Sequence, residues 1–236
     1  MCFRLCFFAF IFSCISYQCL AQISDRSVAL LVRLDSVRQS QSVSKHFADI
    51  YFETTIGAVN YFSKADERVQ QLVERLELQF AYYFFQAAEA YKQKEAIPRA
   101  WQAYFRDSSA SSLRYILYGI NAHINGDIWQ ALTTAFTAAE IEEIKPWYFA
   151  YYTELQKEYD IIYHSALSQN KKLKLFHRLT MGLDKAYGKI VLKRWRNRQV
   201  KLAVLYFNDR SLFEKKLKKL QAKARRLDRM IGKNIY

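Results

Sequence analysis

A chain of 236 residues with 51% hydrophobic and 16% aromatic composition can bury a substantial core, which excludes a disordered tail. Six glycines and two prolines are too few for the turns of an all-β fold; they suit an all-α bundle of about seven or eight helices in one domain. The formal net charge of +14 is uneven: residues 171–236 hold 21 Lys and Arg against 4 Asp and Glu, whereas residues 1–170 hold 15 against 18.

The chain opens like a targeting segment. Arg4 gives a positive start, residues 5–15 an apolar run, and Cys19-Leu20-Ala21 a small-x-small site before Gln22. Residues 1–21 therefore read as a signal peptide and residues 22–236 as the mature helical domain, exported to a periplasmic, outer-envelope or extracellular place. Cys2, Cys6, Cys14 and Cys19 are all the cysteines present. Cleavage leaves no thiol, and so no disulfide framework, cysteine nucleophile or thiolate metal site. No run in the mature chain is long and apolar enough to be a transmembrane span.

A short first helix follows through Val28, Leu31 and Leu34, then a second over 42–62. Ser63 with Asp66 resembles a capping box opening a long third helix to about Gln93. Pro98 suits the first turn of a short helix carrying Trp101 and Phe105. The serine-rich segment 107–112 caps a helix predicted to continue to about Ala139, and Pro146 is expected to start the next, through Tyr148, Tyr152, Leu155 and Tyr159. Short (173–181) and long (184–207) helices come next. The last helix, from about Leu212, sets Phe213, Leu217, Leu220, Leu227 and Ile231 on one stripe within its lysines and arginines.

Chemistry concentrates in "YGINAHINGDIWQAL", residues 118–132. At about 100° per residue, Leu113, Ile116, Leu117, Ile120, Ile124 and Ala131 share a face, and His123 and Asp127, four apart, fall on it or at its edge. Gly119 and Gly126 line up beside them and invite close helix approach. Asn121 and Asn125 form a second polar pair. A buried His and Asp must be paired, hydrogen-bonded or metal-bound. Three readings follow: a structural pair that satisfies itself, two ligands of one divalent cation completed from another helix, or an acid and a base lining a pocket. His46 beside Asp49 reads as a local hydrogen bond, Asp160 with His164 as a solvated pair, and His177 as exposed between Lys174 and Arg178.

The stretch "LRYILYGINAHINGDIWQAL" resembles the signature of a bacterial all-helical family of unknown function, G-x-N-A-H-I-N-x-D, matched at Asn121, Ala122, His123, Ile124, Asn125 and Asp127. The resemblance extends to "LELQFAYYFFQAAEAY", where Glu77 fills a position that the family usually gives to an acid. A weaker likeness joins "HINGDIWQAL" to the helical zinc-dependent phospholipase C and single-strand nuclease superfamily, through His123, Gly126, Asp127, Gln130 and Leu132. There it implies that His123 and Asp127 bind zinc. The pattern departs at Ala131, Thr133 and the expected terminus Gln22, and four histidines cannot build a cluster of three metals.

Two functional expectations follow. One is a metal-assisted hydrolase in which a cation on His123 and Asp127 lowers the pKa of a bound water, with Glu77 as base and Asn121 and Asn125 as orienting groups. The other is a non-enzymatic envelope protein that binds an acidic partner or an anionic surface through its basic C-terminal helices. The solvated outer face of packed helices is the commoner source of such charge.

Overall fold

The computed structural model describes residues 24–169, 171–181 and 183–234. The expected signal peptide, its four cysteines and Gln22 lie outside these residues. Among the described residues there is no strand, and the fold is all-α.

Helix α1 (Asp25–Arg38) begins at Ser24, whose hydroxyl accepts from Ser27 N–H. α2 (Lys45–Phe62) and α3 (Glu67–Lys92) follow. The cap of α3 is Asp66 accepting from Val69 N–H, rather than Ser63. Ser63 ends α2 instead and bonds back to the Asn60 carbonyl. A 3-10 turn (Arg99–Trp101) leads into α4 (Gln102–Arg106).

Next come α5 (Ser112–Ala122), a π-turn (His123–Asp127) and α6 (Ile128–Ala135). The expected continuation to Ala139 fails because Phe136 is extended, and a capping box of Thr137 with Glu140 starts α7 (Ala138–Ala150). Bonds from Arg75 and the Thr137 cap hold the Glu140 carboxyl at about 2. Pro146 therefore lies inside α7 and does not open it. It removes one backbone donor, and a new helix, α8 (Tyr152–Gln169), follows at once. α9 (Lys171–Leu179), α10 (Leu183–Asn208) and α11 (Arg210–Asn234) complete the described chain.

Two apolar clusters form the core. One gathers Leu34, Phe47, Tyr51, Phe84, Trp101 and Tyr104; the other gathers Leu72, Ile128, Leu132, Ile141, Val200 and Ala203. Phe80 packs against both, and the 118–132 stretch runs across their junction. α11 packs as its stripe predicts: Phe213, Leu220 and Ile231 are buried, and Leu217 and Leu227 pack partly buried beside them.

Candidate active site

α5 stops being α-helical at His123. In the π-turn, Ile128 N–H bonds to the His123 carbonyl, one residue further than an α-helix allows, a widening often found at functional positions. Asn125 and Gly126 are weak helix formers and yield easily to it. Gln130 Nε2 donates to the Gly126 carbonyl at 2.8 Å and ties the turn to α6. A Cβ at Gly126 would stand 2.4 Å from the Ala100 Cβ. Glycine thus lets the 3-10 turn lie directly on the π-turn.

That close approach delivers Trp101. Its Nε1–H donates to Asp127 Oδ2 at 3.0 Å, and His123 Nδ1 lies 3.2 Å from the same oxygen. His123 and Asp127 are 6% and 2% exposed. The imidazole stacks on Phe80 with ring centroids 3.3 Å apart, and the rings of Tyr51 and Phe47 meet it edge-on at 4.5 and 5.1 Å.

Burial drives the His123 pKa well below its ordinary value. Burial also raises the Asp127 carboxyl well above its own, against the pull of the Trp101 hydrogen bond. Both groups favour their uncharged forms near neutral pH. In the tautomer that carries its proton on Nδ1, His123 and Trp101 both donate to Oδ2, and the carboxyl proton then sits on Oδ1. Among the described residues Oδ1 makes no hydrogen bond.

Asp127 also lines a groove of about 240 Å³ between the 3-10 turn, the π-turn and α11. The groove is polar: Asn121, Asn125, Gln130, Arg99, Arg225 and Asp228 contribute to its wall. Asn125 Nδ2 donates to Asn121 Oδ1 at 2.8 Å, and Asn121 Nδ2 donates to Asp228 Oδ1 at 2.6 Å and to the Ala224 carbonyl at 3.0 Å. Burial raises the Asp228 carboxyl too, with the Asn121 bond opposing. Two carboxyls with elevated pKa values therefore share one groove.

The other candidates go elsewhere. Glu77 is half-buried on α3 and lines a separate cavity of about 40 Å³ with Tyr148, Tyr151 and Arg196; it is not in the groove. His46 stacks on Tyr115 at 5.0 Å, while Asp49 faces Arg38 at 3.8 Å, so their expected mutual bond is replaced by contacts to other helices. Asp160 pairs with Lys185 and Lys189, and His164 Nε2 lies 3.1 Å from Lys185 Nζ. His177, expected to be exposed, is half-buried with Nδ1 3.0 Å from the Tyr163 hydroxyl.

A Trp101 N–H already points at Asp127 Oδ2, and no group of three or more His, Cys, Asp and Glu able to hold a metal occurs among the described residues. Trp101 and Asp228 escaped the sequence reading. The signal for Asp228 was its place beside the apolar stripe of α11, one turn beyond Ala224. Trp101 carried none, because its partner is 26 positions away.

No curated protein and no solved structure matches the chain. The helical architecture and the motif sit within a match to residues 24–234, nearly everything described, and the chain belongs to a family of unknown function, DUF5995.

Proposed function

We propose that the protein is a hydrolase of a small polar substrate that works by acid–base catalysis at the groove beside the π-turn. The observation that carries this reading is the placement of Asp127: Oδ2 is held by Trp101 and His123, while the residue also lines the groove. A carboxyl kept protonated by burial is a competent general acid near neutral pH. Asp127 Oδ1–H donates to the leaving-group oxygen. The carboxylate left behind is stabilised by the two N–H groups on Oδ2, which were in place beforehand and need no reorganisation.

Asp228 is the second carboxyl, accepting the proton of an attacking water, with Asn121 fixing its orientation. Asn125 and Gln130 offer amide donors and acceptors to the substrate, and Arg99 and Arg225 favour one that carries partial negative charge. No step depends on a bound cation.

The test is a panel of p-nitrophenyl esters, phosphates and glycosides, run with and without a chelator. Parent protein should turn over at least one member, and activity should survive chelation. Asp127→Asn should lose the activity while unfolding as cooperatively as the parent. Inactivity of the parent across the panel, or full activity in Asp127→Asn, would remove the proposal. Activity restored only by zinc or manganese would return the reaction to a metal.

A further inference from the structure

The second feature lies far along the chain from the motif. α8, α9 and the first half of α10 form an arm, joined by Lys185 and Lys189 on Asp160 and by the Tyr152 hydroxyl donating to the Lys189 carbonyl. Residues 171–198 hold ten Lys and Arg against one acid. Lys171, Lys174, Arg178 and Arg194 are exposed and have no acidic partner among the described residues.

Where α9 turns into α10, large apolar side chains stand in water. Leu179, Met181, Leu183 and Tyr187 are 72%, 88%, 68% and 64% exposed. Single exposed apolar residues are ordinary, but four within nine positions at one helix junction are not. Met181 also has φ 51°, the left-handed region that a branchless glycine would occupy at less cost. Both the solvent exposure and the backbone strain are unfavourable for a residue whose only task is to turn the chain.

We propose that the tip of this arm docks on an anionic lipid surface. Leu179, Met181, Leu183 and Tyr187 enter the boundary between headgroups and acyl chains, and Lys171, Lys174, Arg178 and Arg194 bind the headgroup phosphates. Exposed apolar side chains on helices that also carry exposed cations are the chemistry of interfacial anchoring, in which apolar burial and attraction to anionic lipid reinforce each other. Among the described residues no helix is long and apolar enough to cross a membrane, so the arm lies on the surface.

The apolar tip sets the arm apart from α11, whose exposed Lys215, Lys216, Lys218 and Lys219 have no comparable apolar group beside them. Nucleic acid or an acidic protein would use the cations of either region and would gain little from the apolar tip.

Vesicle co-sedimentation of the full protein tests this. The parent should bind phosphatidylcholine vesicles containing about 30% phosphatidylglycerol, bind neutral vesicles weakly, and lose binding as salt rises. Leu179→Ser with Met181→Ser and Leu183→Ser should weaken binding about tenfold or more, and so should Met181→Glu alone, with the helical circular dichroism of the parent. The quadruple change of Lys215, Lys216, Lys218 and Lys219 to Gln should weaken it less. Absence of sedimentation with anionic vesicles at low salt overturns the proposal. So does vesicle binding that the serine variant retains and the α11 variant loses, or salt-sensitive binding to an oligonucleotide in place of lipid.

Discussion

The π-turn and the arm are both polar departures from a helical bundle, and they are built in opposite ways. At the π-turn every group is surrounded: His123 by Phe80, Tyr51 and Phe47, Asp127 by Trp101 and His123. In the arm no described residue from 156 to 199 belongs to either large apolar cluster or to the smaller one around Phe213. Charge in the first region is suppressed by burial; in the second it is left in water. The difference predicts where substitutions will damage the fold and where they will alter only what the molecule touches.

The sharpest break should come from removing one member of the buried pair. Asp127→Ala leaves the Trp101 N–H and the imidazole without their common acceptor, and His123→Ala opens a cavity between Phe80 and Tyr51; each should cost about 3 kcal/mol. Serine at Leu179, Met181 and Leu183 should stay within about 0.5 kcal/mol per site, as exposed positions do. Chemical denaturation of the three variants reads this directly. Equal losses in both regions would mean that the arm carries hidden packing.

Gly126→Ala comes next. The added methyl meets Ala100 Cβ at 2.4 Å, so the 3-10 turn must retreat and Trp101 with it. About 1–3 kcal/mol is expected, together with a change in tryptophan fluorescence. The matching change in the arm, Gly188→Ala, meets the Tyr159 hydroxyl at 2.0 Å. That is the far end of one side chain, which can turn aside, so the effect should be smaller.

How far the sequence foretold this contrast depended on the range of each interaction. Helical class, the inward stripe of α11, the bond between Asn121 and Asn125, and the close approaches at Gly119, where an added Cβ would meet the Phe47 ring, and at Gly126 are set by spacing along one helix, and spacing is visible. The π-turn was not visible, because the phase shift it introduces is followed only by the short α6 (Ile128–Ala135), which holds too few turns to show a new apolar period. Pro146 misled because a proline inside a helix and one that opens a helix look alike until the Thr137 cap fixes the start. Family resemblance joins Glu77 to His123, whereas in the fold Glu77 lines the small cavity with Tyr148 and Arg196 and not the groove. The groove needed Trp101 and Asp228 brought in from distant segments, and no local pattern encodes that.

Acidity gives a third, smaller contrast. Asp127 holds its proton in the folded protein above the ordinary value of 3.8, whereas the unfolded chain releases it there. Its contribution to stability is complete below pH 3.8 and drains away as pH rises through the elevated folded value. Asn cannot ionise, so the stability gap between parent and Asp127→Asn should narrow from pH 5 to pH 9. His123 has the opposite sign. Its folded pKa lies below 6.5, so the stability from its neutral form is complete above pH 6.5 and is lost as pH falls below it. Thermal midpoints of parent and variant across that range measure the first effect; a gap that stays constant with pH would show that Asp127 is ionised in the folded state.

The smallest effect separates the regions most cleanly, because it should have opposite signs for stability and for binding. Met181 and Lys94 are the described residues other than glycine with positive φ, at 51° and 60°. Lys94 follows the end of α3, where a left-handed residue closes a helix and Glu95 N–H returns to the Ala90 carbonyl. Lys94→Gly should therefore stabilise the protein by about 1 kcal/mol and change nothing else. Met181→Gly removes the same backbone strain and should stabilise by a similar amount, about 1 kcal/mol, since an 88% exposed side chain has little packing to lose. It also deletes the most exposed apolar group of the arm, so vesicle binding should fall as stability rises. A Met181→Gly protein that gains stability and binds vesicles as the parent does would show that the strained methionine only turns the chain.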